Sequence, residues 1–159
     1  MLDPYGSCLV QHIILDPRLR EERYKMRRAS AQAAGIDVRA CIDEPLTLRP
    51  GAKELVPLGV ALNIDDAWAC ALLMPRSGLA HKHGLTLSNS VGLIDSDYQG
   101  QVFASVYHTG CPDREYTIEP MERIGQLVFA PVFRVDLVEV TEFAPSERGE
   151  GGFGSSGAA

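Results

Sequence analysis

Prolines are scattered along this sequence. Ten of them are spread from Pro4 to Pro145, and a proline inside a helix removes a backbone hydrogen bond and clashes with the preceding turn. They leave little room for long helices. Short runs with β-branched residues lie between the prolines, at residues 9–15, 54–64, 101–108, 126–133 and 135–143. Short strands separated by turn residues predict an all-β domain, either a sandwich or a barrel.

One or two short helices fit beside these strands. Asp16 and Pro17 are a suitable N-cap and first position for a helix over residues 18–28. Residues 77–84 follow a proline and predict a second short helix. The apolar run at residues 68–74 is compatible with a buried strand or a buried helix. Its shortness and its end at Pro75 favour a strand.

The size and composition are those of one globular domain. The chain has 159 residues, of which 45% are hydrophobic and 23% charged. No stretch approaches the roughly 20 apolar residues of a membrane span, and the first residues show no secretory signal. The cysteines lie far apart, which predicts neither a zinc site nor a disulfide framework: Cys8, Cys41, Cys70 and Cys111. We therefore expect free thiols and a cytoplasmic location.

The distribution of charge limits the partners of the chain. A net charge of −6 argues against general electrostatic binding of nucleic acid, so an anionic ligand must be held by a local cluster. Residues 16–28 nevertheless contain six basic and three acidic side chains. This basic segment is interpreted as a solvated face, and a docking surface for a partner is the alternative.

The sequence changes character after Phe143, where it becomes rich in glycine and serine. Such a segment buries too little apolar surface to order itself. We therefore predict a folded domain at residues 1–143 and a flexible arm at 144–159. Arg148 and Phe153 lie among the glycines, and a cation and a ring on a flexible backbone suit a lid over a charged, planar ligand. A frayed terminus is the alternative.

Arg76, Ser77 and Gly78 follow the apolar run that ends at Pro75. Exposed backbone N–H groups at a helix start, together with a hydroxyl and a guanidinium, form a suitable phosphate site. An ordinary junction between a strand and a helix gives the same local pattern, so this segment alone does not decide between the two.

Residues 89–102 predict a β-hairpin, because two strand-like runs flank a tight polar turn. Asp95 follows Leu93 and Ile94 directly, and we expect it to be partly buried at the base of the turn. A carboxylate in that setting is a candidate general base, since partial removal from water makes it more basic. Asp97 is interpreted as a turn-former.

Five segments in this order resemble the five motifs of the trimeric dUTPases, the deoxyuridine 5′-triphosphate nucleotidohydrolases, in their bacterial form. They are AGID (34–37), PRSGLA (75–80), GLIDSDYQG (92–100), RIGQ (123–126) and RGEGGFGSSG (148–157). The resemblance implies a jelly-roll-like β-barrel that forms a homotrimer with active sites between subunits. It also implies hydrolysis of dUTP to dUMP and pyrophosphate, which keeps uracil out of DNA and supplies dUMP for dTMP synthesis. Mg²⁺ would be held by the substrate triphosphate and water, with no direct protein ligand.

The same resemblance implies roles for residues around the third motif. Asp95 would orient and deprotonate the attacking water, and Tyr98 would pack on the deoxyribose and exclude a 2′-hydroxyl. Uracil would be read by the Asn89 side chain and by the backbone around three further residues, namely Leu93, Ile94 and Phe103.

The other motifs imply phosphate contacts. Arg76, Ser77 and Gly78 match the second motif, and Gln126 matches the fourth. Asp37 matches the acidic residue of the first motif and would support the charges of the site. In the arm, Phe153 would stack on uracil, and Arg148 with Ser155 or Ser156 would touch the phosphates.

Two alternatives remain at this point. One is a dCTP deaminase-like enzyme, which has a related fold and uses a glutamate as base. The other is a non-catalytic nucleotide-binding regulatory protein on the same fold. The PRSG and IDSDY segments favour a dUTPase over the deaminase, and the presence of Asp95 and of the arm favours catalysis.

Overall fold

The computed structural model of the chain describes residues 9–146 and residue 149. These residues form ten strands, one α-helix and one 3₁₀ helix. The strands are β1 (Gln11–Ile14), β2 (Ile36–Arg39), β3 (Leu46–Leu48), β4 (Lys53–Asn63), β5 (Ala69–Pro75), β6 (Leu85–Leu87), β7 (Gly92–Ile94), β8 (Gln101–His108), β9 (Tyr116–Ile118) and β10 (Arg123–Pro131). The helices are α1 (Ser77–His83) and the 3₁₀ helix Pro17–Arg20. The predicted all-β, jelly-roll-like class with one or two short helices is confirmed.

Two four-stranded sheets share one hydrophobic core. The first has the strand order β1-β4-β8-β6, and the second has the order β2-β10-β5-β7. Strands β3 and β9 form a separate pair. The core draws on both large sheets, for example Val56 and Val106 from the first and Val38, Ala71 and Leu127 from the second.

Strand β8 illustrates why these residues form a half-buried sheet. Val102, Ala104 and Val106 are buried, whereas Phe103 between them is exposed. This alternation of period two places one face of the strand on the core and the other toward solvent. The bounds of β8 are those predicted from the sequence. Strand β5 likewise confirms a strand in the apolar run before Arg76.

The predicted strand at residues 135–143 is wrong for the chain as described. β10 ends at Pro131, and residues 132–143 are exposed and belong to no strand. Phe133 and Leu137 are 91% and 94% exposed. β-branched residues favour strands because they pack on neighbouring strands, and here no described strand lies beside the segment.

The predicted helix at residues 18–28 is only partly correct. Asp16 is the N-cap, and its side chain accepts a hydrogen bond from the backbone N–H of Arg18 at 2.9 Å. The helix ends at Arg20, however, and Leu19 is its one buried residue. Helix α1 agrees with its prediction: it ends at His83, and Gly84, which has a φ of 66°, is its C-cap.

The predicted hairpin at residues 89–102 is also wrong in its pairing. β7 pairs with β5 in one sheet, and β8 pairs with β4 and β6 in the other. The turn between β7 and β8 therefore crosses from one sheet to the other. Among the described residues, no helix is long and apolar enough to cross a membrane.

Candidate active site

Three of the five motifs meet on neighbouring strands. β10 lies between β2 and β5, and Gln126 on β10 is opposite Asp37 on β2 and Met74 on β5. Arg76 follows the last residue of β5 directly. The sheet therefore brings together residues that are up to 89 positions apart in the sequence, from Asp37 to Gln126.

Asp37 lies between two arginines. Its Oδ1 is 3.2 Å from Nε of Arg76, and its Oδ2 is 3.0 Å from Nη1 of Arg123. Nη1 of Arg76 also donates a hydrogen bond of 3.3 Å to the backbone oxygen of Arg123. Burial lowers the pKa of the Arg39 guanidinium, and the positive charge of Arg123 lowers it further. We call Arg39, Arg76 and Arg123 the arginine cluster. Its three positive charges outnumber the one carboxylate, so the cluster is suited to an anionic ligand.

Sequence reasoning did not assign Arg123 a role. In isolation, RIGQ is a turn with a solvated arginine, and only the pairing of β2 with β10 brings Arg123 to Asp37. A register shift between Arg123 and Gly125 interrupts this pairing. The sequence signal for a role of Arg123 is its position at the start of the RIGQ motif, which also contains Gln126.

Gln126 and α1 complete this side of the site. Nε2 of Gln126 donates a hydrogen bond of 3.2 Å to the backbone oxygen of Pro75. Ser77 and Gly78 are exposed in the first turn of α1. Arg76 is the N-cap of that helix, and its guanidinium, which has no acceptor atom for a capping hydrogen bond, contacts Asp37.

A cavity of about 350 Å³ lies at the end of β7. Six residues that were predicted around uracil, the sugar and the attacking water line it together: Asn89, Leu93, Ile94, Asp95, Tyr98 and Phe103. We call it the base cavity. Leu55, Leu73 and Ser105 also line it, and sequence reasoning missed them because they lie outside the motifs on neighbouring strands.

Tyr98 folds back over Gly100. The hydroxyl of Tyr98 donates a hydrogen bond of 2.9 Å to the backbone oxygen of Gln101. A Cβ atom at Gly100 would lie 2.6 Å from that hydroxyl oxygen, so a side chain at this position would require the tyrosine to shift. Glycine at position 100 therefore allows the tyrosine ring to take this position beside the base cavity.

Asp95 lies at the edge of the base cavity and is exposed. The partial burial expected from the sequence is not observed in the single chain. Ile94 turns into the core, and its neighbour Asp95 therefore points away from it. The backbone oxygen of Asp95 accepts a hydrogen bond of 3.2 Å from the N–H of Tyr98, which closes the turn.

The arginine cluster and the base cavity are separated within the chain. Ile94 pairs with Ala71, and Gly92 pairs with Leu73, so β7 runs away from the end of β5 that precedes Arg76. Arg76 lies five residues beyond Ala71, which is about 17 Å along a strand. None of the cluster residues lines the base cavity. The arginine cluster and the base cavity thus lie at different places along β5.

Four predicted site residues lie outside the described residues: Arg148, Phe153, Ser155 and Ser156. Within the described part of the chain, no group of three or more His, Cys, Asp or Glu side chains is placed to hold a metal ion.

Comparisons with known proteins all indicate the same family. The sequence model of the dUTPase family matches residues 22–157. The deoxyuridine 5′-triphosphate nucleotidohydrolase of Azoarcus sp. (strain BH72) is 57% identical over 145 residues, covering 91% of this chain and 94% of the relative. The protein of the same name from Bordetella avium (strain 197N) is 53% identical over 144 residues, with 91% and 94% covered.

A solved structure agrees with these relatives. The Staphylococcus bacteriophage 80alpha dUTPase with dUPNHPP is 29% identical and matches with a TM-score of 0.81, covering 96% of this chain and 100% of that chain. These relatives give no support to the deaminase alternative. Since the family model spans most of the chain and relatives of more than half identity cover nearly all of it, the chain belongs to the dUTPase family and is a dUTP diphosphatase.

Proposed function

We propose that the chain hydrolyses dUTP to dUMP and pyrophosphate with Asp95 as the general base. The Asp95 carboxylate takes a proton from water while the water oxygen forms a bond to the α-phosphorus. The bond from that phosphorus to the bridging oxygen breaks, pyrophosphate leaves with the electron pair, and Asp95 then releases its proton to solvent. General base catalysis typically contributes 10²–10⁴-fold to a rate. The position of Asp95 at the mouth of the base cavity supports this role.

The base cavity is proposed to hold uracil and deoxyribose. Asn89 and the backbone of Leu93, Ile94 and Phe103 supply donors and acceptors that are fixed in place, which suits discrimination of uracil from cytosine. The Tyr98 ring lies over Gly100 at the cavity edge, where it is suited to pack on the sugar and to exclude a 2′-hydroxyl.

The phosphates are proposed to bind at the arginine cluster, with Ser77, Gly78 and Gln126 as further contacts. Phosphoryl transfer depends chiefly on positioning and charge neutralisation. Asp37 supports this role because it holds two guanidinium groups in fixed positions without cancelling the positive charge of the cluster.

A complete site is proposed to combine the base cavity of one chain with the arginine cluster of another, in a homotrimer. The spacing along β5 supports this arrangement, since Arg76 lies about 17 Å along the strand from Ala71, the partner of Ile94. The exposed apolar side chains that follow β10 also fit a chain that contacts other copies of itself.

Mg²⁺ is proposed to bind the substrate triphosphate and water rather than protein side chains. When bound there, it neutralises charge on the phosphates. Residues 144–159 are proposed as an arm that closes over the nucleotide, with Phe153 on uracil and Arg148 with Ser155 or Ser156 on the phosphates. We further propose a cytoplasmic role in limiting dUTP and supplying dUMP.

The position of Asp95 carries the proposal, and its substitution tests it. Pyrophosphate release is measured with dUTP, dCTP, dTTP and UTP in turn, for the unmodified chain and for Asp95→Asn. We expect release from dUTP alone, and a loss of at least 100-fold in kcat for Asp95→Asn with dUTP still bound. Turnover of Asp95→Asn within threefold of the unmodified chain contradicts the assignment. Binding of dUTP without release by the unmodified chain favours the non-catalytic alternative.

The shared site has its own test. Asp95→Asn and Arg76→Ala chains are each expected to be inactive alone. If sites combine two chains, dissociation and joint reassembly of a 1:1 mixture restores about a quarter of the sites, because each restored site takes the intact group from each variant. A mixture as inactive as its parts shows that both groups come from one chain.

A further inference from the structure

Three side-chain amides form a continuous chain of hydrogen bonds at one end of the first sheet. Nε2 of Gln99 donates to Oδ1 of Asn63 at 3.1 Å, and Nδ2 of Asn63 donates to Oε1 of Gln11 at 3.1 Å. Gln11 and Asn63 are directly opposite each other in the pairing of β1 with β4. Gln99 lies in the turn between β7 and β8, which also carries Asp95 and Tyr98. We call these three residues the amide chain.

A backbone hydrogen bond links the same two parts of the molecule. The N–H of Asp65, two residues beyond the end of β4, donates to the oxygen of Ser96 at 3.1 Å. Asp65 has a φ of 52°, a conformation that residues with a side chain rarely adopt. The turn is therefore attached to the end of β4 at two points, one through side chains and one through the backbone.

Two further hydrogen bonds lie within the turn and at its junction with β8. The N–H of Tyr98 donates to the oxygen of Asp95, and the Tyr98 hydroxyl donates to the oxygen of Gln101, the first residue of β8. These bonds join residues that are close in sequence. Asp95 is exposed, so packing around its side chain does little to hold it. The two links to β4 join the turn to a part of the chain that is distant in sequence, and they are suited to hold Asp95 toward the base cavity.

From this geometry we propose that Asn63 is a positioning residue for hydrolysis, which acts through Gln99 to hold the turn that carries Asp95 and Tyr98. Asn63 is the central member because it accepts from Gln99 and donates to Gln11. The Gln11 acceptor orients the Asn63 amide so that its oxygen faces Gln99. The inference rests on the proposed role of Asp95 and adds a residue outside the five motifs.

The test uses steady-state kinetics with dUTP and thermal unfolding of the full chain. Asn63→Ala is expected to lower kcat about tenfold, because a small displacement of a reacting group is costly, while KM changes less than twofold. Asn63→Asp is expected to retain most of kcat, since the carboxylate accepts from Gln99 and a rotated Gln11 amide can donate to it. Thr47→Ala is the matched control. It removes an exposed cross-strand hydrogen bond of 2.8 Å between Thr47 and Thr117 and should leave kcat unchanged.

A double-mutant cycle separates positioning from general loss of stability. Gln99→Ala removes the same link from the other end, and the Asn63→Ala/Gln99→Ala double variant should lose no more kcat than the worse single variant. A kcat of Asn63→Ala within twofold of the unmodified chain overturns the inference, and so do fully multiplicative losses in the double variant. If Asn63→Ala does not fold, the kcat of Gln99→Ala tests the inference instead, with the same twofold limit.

Failure of this inference is distinguishable from failure of the proposed function. Asp95→Asn is assayed in parallel. A fully active Asn63→Ala beside an inactive Asp95→Asn refutes only the role of Asn63. An active Asp95→Asn refutes the role of Asp95 as base and, with it, the inference drawn from that role.

Discussion

The side-chain oxygen of Gln126 lies 2.5 Å from the point that a Cβ atom on Gly35 would occupy. Real Cβ atoms essentially never approach another heavy atom so closely. Glycine at position 35 thus makes room for the Gln126 amide, which donates to the backbone oxygen of Pro75. Gly35 of the first motif thus supports Gln126 of the fourth motif, because Gly35 has no side chain.

Gly35→Ala is expected to lower kcat/KM for dUTP about tenfold, because it displaces the Gln126 amide from the arginine-cluster side of the site. If the effect passes through Gln126, the Gly35→Ala/Gln126→Ala double variant is no worse than Gln126→Ala alone. Steady-state kinetics of the three variants checks this. Full activity of Gly35→Ala would show that the amide is free to move aside.

Asp37→Ala is expected to raise KM for dUTP by about tenfold and to change kcat less. Without the carboxylate, Arg76 and Arg123 repel each other and lose the fixed positions in which phosphate would meet them. Asp37→Asn keeps an acceptor for one guanidinium and is expected to give a smaller rise. Titration with a non-hydrolysable dUTP analogue measures the same change as binding, and unchanged affinity in both variants would contradict this role of Asp37.

Asp16 is expected to make folding stability depend on pH in acid. The Arg18 guanidinium, hydrogen-bonded to Asp16 at 2.6 Å, holds the pKa of that carboxyl below its ordinary value of 3.8. The stabilisation is therefore complete above about pH 5, where Asp16 of the unfolded chain is almost fully ionised, and is lost as the pH falls through the lower value of the folded state. Urea unfolding from pH 7 to pH 2 measures this dependence.

The matched variants at this position are Asp16→Ala and Asp16→Asn. At pH 7, Asp16→Ala should cost about 1–2 kcal/mol of unfolding free energy, because it removes an N-cap together with an ion pair. Asp16→Asn keeps the capping acceptor and should cost less. In both variants, the unfolding free energy should fall less steeply as the pH decreases into the acid range. An unchanged pH dependence would exclude Asp16 as a source of that fall.

The described cysteines are expected to differ in reactivity toward iodoacetamide. Burial raises the pKa of the Cys41 thiol to about 12, and the nearby Asp16 charge contributes. At pH 8 only about 10⁻⁴ of Cys41 is then thiolate, the reactive form. Cys111 is exposed and Cys70 is buried, so Cys111 should be alkylated well before either of them. Peptide mapping by mass spectrometry gives the order, and early labelling of Cys41 would contradict its environment here.

Elements whose signal is local were predictable from the sequence. The alternation of β8, the helix between Ser77 and Gly84, and the capping role of Asp16 depend on residues a few positions apart, and all three are observed. The prediction at residues 135–143 was wrong because strand formation needs a neighbour, which the sequence of a strand does not specify. The hairpin prediction was wrong for a related reason, since β7 and β8 each find a partner distant in sequence.

Within the candidate site, recognised motifs gave the residue types and the fold gave their arrangement. Arg123 had no distinguishing local feature until the pairing of β2 with β10 brought it to Asp37. Gly35 and Gln126 are 91 residues apart in the sequence, and no spacing pattern in the sequence reveals that they lie close together. Burial of Asp95 was expected from its apolar neighbours, but strand alternation sends Ile94 inward and leaves Asp95 outside.

Ala71, which pairs with Ile94, lies five residues before Arg76 along β5. This spacing also affects how activity would depend on the concentration of the protein. In the proposed assembly, a lone chain keeps its fold and its base cavity but has no turnover. At concentrations well below the dissociation constant of the trimer, the number of working sites falls as roughly the third power of the chain concentration. A modest fall in expression would then cause a much larger fall in dUTP hydrolysis, and a substitution that weakens only the contact between chains would silence the enzyme without unfolding it.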